Sequence, residues 1–120
     1  MHNHFLNLAI KLSRKSDYYQ KIGCVIVKKK KIISFGYNKP YKTHPKSTNN
    51  YHTIHAELDA CLGVSHEELI GSVAYVAREH KGDGSYILAK PCYHCQELLK
   101  SQGVKKVYYT TRLGFEMMRL

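Results

Sequence analysis

The chain has 120 residues, 43% of them hydrophobic and 23% charged, and a formal net charge of +10. That size holds one core and not two, so a single domain over residues 1–120 is expected, with the composition of a globular protein. The sequence holds no apolar run near the roughly 20 residues of a membrane span and no signal-peptide layout, which excludes a membrane role and points to the cytoplasm, while the excess of lysine favours anionic partners.

Phe5, Leu8, Ala9 and Leu12 recur at helical spacing and predict an amphipathic helix over residues 3–15. Two short apolar, β-branched runs follow, 22–27 and 32–37, separated by Lys28 to Lys31, and together they predict a β-hairpin with a solvated lysine turn. Cys24 lies inside the first strand and reads as a small core residue. Residues 38–53, rich in Asn, Lys, Pro, Thr and Ser, read as a loop, and a structureless stretch of that length is often functional. Ile54, Leu58, Cys61 and Leu62 then form a helical apolar stripe ending at Gly63, with Cys61 packed in the core. Ser65-His66-Glu67-Glu68 has the spacing of a capping box. Residues 72–77 alternate as a strand, Lys81-Gly82-Asp83-Gly84 makes a turn, and 86–89 reads as a returning strand. Pro91 suits a helix start, and the helix is expected over 92–101 with Leu98 and Leu99 inward and Gly103 as its stop. A last strand is expected over 104–110. The strand–helix–strand passage through 86–110 predicts a parallel pair, with helices on both faces of one sheet.

Two short segments carry the chemistry. Cys92 and Cys95 are three residues apart in a helical first turn, so both sulfurs point to one side, and the helix N-terminus favours thiolate. C-x-x-C alone also fits a redox pair. The preceding Pro91 and an upstream His55-Ala56-Glu57 at another helix start shift the reading to metal. His55, Cys92 and Cys95 supply three ligands for one catalytic Zn²⁺ with an open position, and Glu57 is left as a proton shuttle. Residues i and i+2 diverge on a regular helix, so His55 and Glu57 can both face the ion only from the first turn. His94, between the two cysteines, is expected to be exposed or to sit behind a ligand. His52 and Tyr51 could stack on a base, and Lys39, Lys42 and Lys46 could meet a phosphate.

The H-x-E and P-C-x-x-C segments resemble those of the cytidine deaminase superfamily, and more closely its CMP/dCMP-type deaminase domain. The resemblance runs over most of the chain: helix, hairpin, Gly36-Tyr37-Asn38 loop, His55-Ala56-Glu57 helix, strand, Pro91–Cys95 helix, strand. It implies a three-layer α/β/α sandwich around a mixed five-stranded sheet, and a homo-oligomer. It also implies that Asn38 reaches the sugar of a substrate and that the Ala56 N–H holds the base carbonyl; His52 and Lys90 are counted with them as substrate contacts. The expected activity is conversion of cytosine to uracil in dCMP or CMP by zinc-activated hydroxide. The rival is a polynucleotide deaminase acting on single-stranded DNA or on RNA, which the charge favours. A non-enzymatic zinc module would want a fourth protein ligand and has no use for Glu57. The chain departs from the family pattern in Gly36-Tyr37-Asn38-Lys39-Pro40, in Lys90 before Pro91, in a lengthened passage from Glu79 to Lys90, and in lacking a full C-terminal helix after the last strand.

Overall fold

The computed structural model describes residues 2–17, 20–40 and 53–120, without the side chains of Pro40 and Thr53. Helix α1 (His2–Ser13) precedes a hairpin of β1 (Gly23–Lys28) and β2 (Lys31–Tyr37). The two-residue strands β3 (Lys39–Pro40) and β4 (Thr53–Ile54) pair with each other, then come α2 (Ala56–Leu62) and α3 (His66–Leu69). The chain ends with β5 (Val73–Glu79), β6 (Tyr86–Ile87), α4 (Tyr93–Ser101), β7 (Lys106–Thr111) and β8 (Gly114–Arg119). The expected loop over 38–53 is therefore paired at both described ends, and residues 41–52 lie outside the described part.

Strand order is β2-β1-β5-β7-β8, with β6 as a short addition on β5. The five-strand expectation thus matches the main path, and the sixth strand is the small one. Only β5 and β7 run parallel among the paired strands, and every other pair is antiparallel. This corrects one expectation: the parallel partner of β7 is β5, not the segment at 86–89. That segment is too short to lead a crossover and instead folds back antiparallel onto the end of β5. β8 has no counterpart among the strands expected from the sequence. It turns back from β7 through Arg112 and Leu113, and Gly114 adopts a φ of 134° that L side chains rarely hold.

Period-two alternation sorts the strand residues into two cores. Cys24, Ile26, Ala74, Val76, Val107 and Tyr109 face α2, α3 and α4, while Val25, Val27, Tyr75, Ala77 and Tyr108 face α1. The result is a helix layer on each side of a mixed sheet, the sandwich that the resemblance implies. On α1 the buried side chains are Phe5, Leu6, Ala9, Ile10 and Ser13. Leu8 and Leu12, expected inward, are only partly buried beside that core, so the true stripe is rotated toward Leu6 and Ile10. Leu99 is buried on α4 and Leu98 half-buried. Pro91 does not begin the helix. Cys92 is the N-cap, and Pro91 stands one residue outside it.

Two glycines let the layers approach. A Cβ on Gly23 would lie 1.9 Å from the Ala9 carbonyl oxygen, and one on Gly36 would lie 2.5 Å from Ala60 N and 2.8 Å from Ala56 O. Gly36 is the more consequential of the two, because it sets α2 directly against β2. Gly36→Ala should destabilise the protein by about 1–3 kcal/mol through backbone displacement. Gly63→Ala, where φ is −95° and no atom lies within 4 Å of the added carbon, should be neutral or slightly stabilising. Urea unfolding of the two variants checks the contrast.

Candidate active site

α2 and α4 begin at the same place, and neither N-cap side chain caps its own helix. His55 caps α2 in an extended conformation (φ −68°, ψ 152°), and Cys92 caps α4 likewise (φ −67°, ψ 166°). The extended backbone at His55 resolves the i, i+2 difficulty, since the imidazole leaves the chain before the helix starts. Its Nδ1 lies 3.1 Å from Cys95 Sγ and 3.8 Å from Cys92 Sγ. The three donor atoms all fall within 4.8 Å of one another, the one such group of His, Cys, Asp or Glu among the described residues.

The arrangement fits zinc. Tetrahedral ligands at about 2.0–2.1 Å for nitrogen and about 2.3 Å for sulfur would be separated by about 3.6 Å, and the observed spacings bracket that value. Two thiolates and a neutral imidazole are also the right donor chemistry, with a fourth position left open. Without the ion, one proton is shared unequally between the thiols. Cys92 is held down to about 3, because the Cys95 thiol and then the His55 ring donate to its sulfur. Cys95 is pushed far up by donating to Cys92 and by burial. His55 is raised chiefly by its bond to Cys92, against the opposing effect of burial.

Glu57 follows in the first turn of α2 and is 4% exposed. Burial raises its pKa, against stabilisation by its own backbone N–H, by His55 and by the Cys95 thiol. A buried carboxyl beside a metal-donor group, with a raised proton affinity, has the properties of a proton carrier. Ala56 is fully buried, and as the first residue of α2 its N–H has no acceptor within the helix.

The other expected contacts are distributed differently. Asn38 is 4% exposed, and its carboxamide is engaged locally. Oδ1 accepts from Ile22 N at 2.9 Å, Nδ2 donates to Gln20 O, and the Asn38 carbonyl accepts from Ser16 Oγ at 2.7 Å. In this conformation Asn38 ties the segment before β1 to the end of β2, and among the described residues one N–H and one lone pair of its carboxamide have no partner. Lys39 does not stand free for a phosphate: Nζ sits 2.5 Å from Asp59 Oδ2 and 4.1 Å from the Tyr37 ring centre. Lys90 and His94 are exposed. Tyr51, His52, Lys42 and Lys46 lie outside the described residues.

Asp59 is a residue that the sequence reading misses. Its Oδ2 accepts from Tyr37 N at 3.2 Å as well as from Lys39, and Ser34 Oγ donates to Ala60 O at 2.5 Å. These bonds hold the first turn of α2 on β2, beside the Gly36 contact. The only signal in the sequence is an acidic residue in a helical first turn, which by itself is a common dipole partner.

The chain matches the family model described as "Cytidine and deoxycytidylate deaminase zinc-binding region" over residues 1–111. It is 29% identical over 127 residues to a deoxycytidylate deaminase of Mycobacterium phage D29, covering 88% of this chain and 91% of that protein. The solved structure of dCMP deaminase from cyanophage S-TIM5 in complex with dCMP and dUMP superposes with a TM-score of 0.64 at 27% identity, over 89% of this chain and 78% of that one. Cytidine deaminase from Mycobacterium leprae shares the fold, with a TM-score of 0.60 at 16% identity over 96% and 91%.

In metal-stripped protein the exposed Cys92 thiolate should alkylate first, at a rate nearly constant between pH 5 and 8, since the pH stays above its pKa throughout. Buried Cys24, whose pKa is raised by burial, should stay protected until unfolding. Zinc should suppress the Cys92 reaction. Mass mapping of iodoacetamide adducts reads all three.

Proposed function

The chain belongs to the cytidine and deoxycytidylate deaminase zinc-binding family, and from that premise we propose that it is a zinc-dependent hydrolase converting the cytosine of a free nucleotide, dCMP before CMP, to uracil. The observation that carries this reading is the meeting of His55, Cys92 and Cys95 at two helix starts with buried Glu57 beside them. The likeness to proteins described as deoxycytidylate deaminases, one of them solved with dCMP and dUMP, supports the nucleotide over the polymer.

Zinc bound to His55, Cys92 and Cys95 supplies Lewis acidity and an activated water. Glu57 takes one proton from the attacking water and passes it to the ring nitrogen, then takes the second from the oxygen newly bonded to the ring carbon and gives it to the departing amine, which leaves as ammonia. Burial helps in both directions, because a carboxyl with a raised pKa is a better base and more readily keeps the proton it must later donate. The Ala56 N–H holds the carbonyl oxygen of the base at the start of α2. Asn38 acts from the same edge: its carboxamide fixes the segment before β1, and its remaining N–H is available to the sugar. His52 and Lys90 complete the reading, as a stacking partner and as a cation at the rim.

A cytoplasmic setting belongs to this proposal. None of the four cysteines is in a disulfide, and no helix among the described residues is long and apolar enough to cross a membrane. So does a homo-oligomer, for which the outer strands offer exposed apolar side chains: Ile32 and Phe35 on β2, Phe115 and Met117 on β8.

Glu57→Gln should lower dCMP turnover by about 10²–10⁴-fold, while one zinc per chain remains by atomic emission. The assay offers dCMP, CMP, cytidine, a cytosine-containing single-stranded DNA and an RNA stem-loop side by side, with mass detection of the deaminated product. Turnover confined to a polymer, or loss of zinc on Glu57→Gln, would overturn the reading.

A further inference from the structure

The passage between Glu79 and Lys90 supplies none of the zinc-site residues. It forms the tip of β5, a turn, and β6, and it shares a hollow with Ser13 and Arg14 at the end of α1 and with Gln20 and Lys21 ahead of β1. Between these elements lies a cavity of about 640 Å³ lined by Arg14, Lys21, Arg78, Glu79, His80 and Lys81, with Ser13, Gln20 and Ile87 behind them. None of the zinc-site residues lines it.

Its charge is one-sided. Four of these side chains are permanent cations and one is a carboxylate. Arg14 holds that carboxylate in a two-bond pair, Nε to Oε1 at 2.7 Å and Nη2 to Oε2 at 3.0 Å, so Glu79 presents little free negative charge to an incoming anion. Asp83, in the adjoining turn, is directed onto Ser85 N and Oγ and faces His80 at 3.5 Å. Arg78 is anchored by a bond from Nη1 to Leu88 O at 3.5 Å, which commits one of its five N–H groups. Among the described residues, Lys21, Lys81 and Arg78 thus remain as cations without a carboxylate partner.

Guanidinium and ammonium groups converging from three separate elements on one hollow are the chemistry that recognises phosphate. We propose that this cavity is a second ligand site of the chain, one that binds a pair of adjacent phosphates, supplied either by a small diphosphate anion or by neighbouring phosphates of a nucleic-acid strand. The turn between β5 and β6 is, on this account, one wall of an anion site. The volume leaves room for two phosphates with their water, and the exposed lysines at its mouth favour a ligand that enters and leaves readily.

The test is calorimetric titration of the zinc-loaded chain with inorganic pyrophosphate at about 0.1 M salt, where interactions beyond about 10 Å are screened. Saturable binding at one site is expected. The double variant Lys21→Glu and Lys81→Glu should weaken it by about 10-fold or more, while Lys31→Glu with Lys100→Glu, exposed lysines away from the cavity and equal in net charge change, should stay within about 2-fold. Unchanged thermal unfolding certifies both folds, and Lys81→Ala, which removes one cation without adding an acid, gives a milder loss in the same direction. Competition by a deoxythymidine oligonucleotide assigns the phosphates to a strand, and failure to compete assigns them to the small anion. No saturable pyrophosphate binding, or equal weakening by both double variants, would overturn the proposal.

Discussion

Donor atoms separated by 40 positions in the sequence must come within reach of a single ion, and most of the architecture can be derived from that constraint. His55 and Cys95 sit at the starts of α2 and α4, so the two helices have to begin side by side although α3 and the β5–β6 hairpin intervene. The sheet arranges this. β5 and β7 run parallel, which carries α4 across the same face that α2 covers. Gly36 then allows α2 to lie against β2 at a distance no side chain would permit, and Asp59, through Tyr37 N and Lys39, fixes the rotation of the first turn. Loosen either end and the donors no longer meet.

The electrostatics arise from the same convergence. At the meeting of the two helix starts the Cys95 thiol and then the His55 ring donate to the Cys92 sulfur, which draws a proton from Cys92 even before a metal arrives. Glu57 experiences the opposite effect: its burial outweighs the bonds from its own backbone N–H and the Cys95 thiol, so it keeps its proton more readily than a surface carboxyl. Among the described residues, further cations cluster on the lysine turn between β1 and β2 and around the β5–β6 hairpin.

What is legible in the sequence is local. His55, Glu57, Cys92 and Cys95 announce themselves because their spacing is dictated by a coordination sphere, and the alternation of β1, β5 and β7 is dictated by two buried faces. What stays hidden is relational. Leu8 and Leu12 match the helical period as well as Leu6 and Ile10 do, and only the position of the sheet decides which pair is covered. Asn38 and Asp59 are ordinary polar residues whose partners, Ile22 N and Tyr37 N, are backbone groups that any sequence possesses. The parallel partner of β7 is concealed for a similar reason: 86–89 is nearer in sequence, but β5 offers the longer apolar ladder. β8 carries no strong signal, since its alternating side chains are half-exposed on both faces.

The single parallel junction also orders events in time. The β1–β2 and β7–β8 hairpins close over short contours, whereas bringing β7 beside β5 requires the whole intervening crossover to collapse first. His55 lies before that crossover and the two cysteines within it, so the three donors are neighbours only in the chain that has paired β7 with β5. An ion that binds them tightly thus recognises the finished chain and draws it from the equilibrium by mass action. Metal supply then governs how much of this protein persists in the folded form, as well as how fast it turns over.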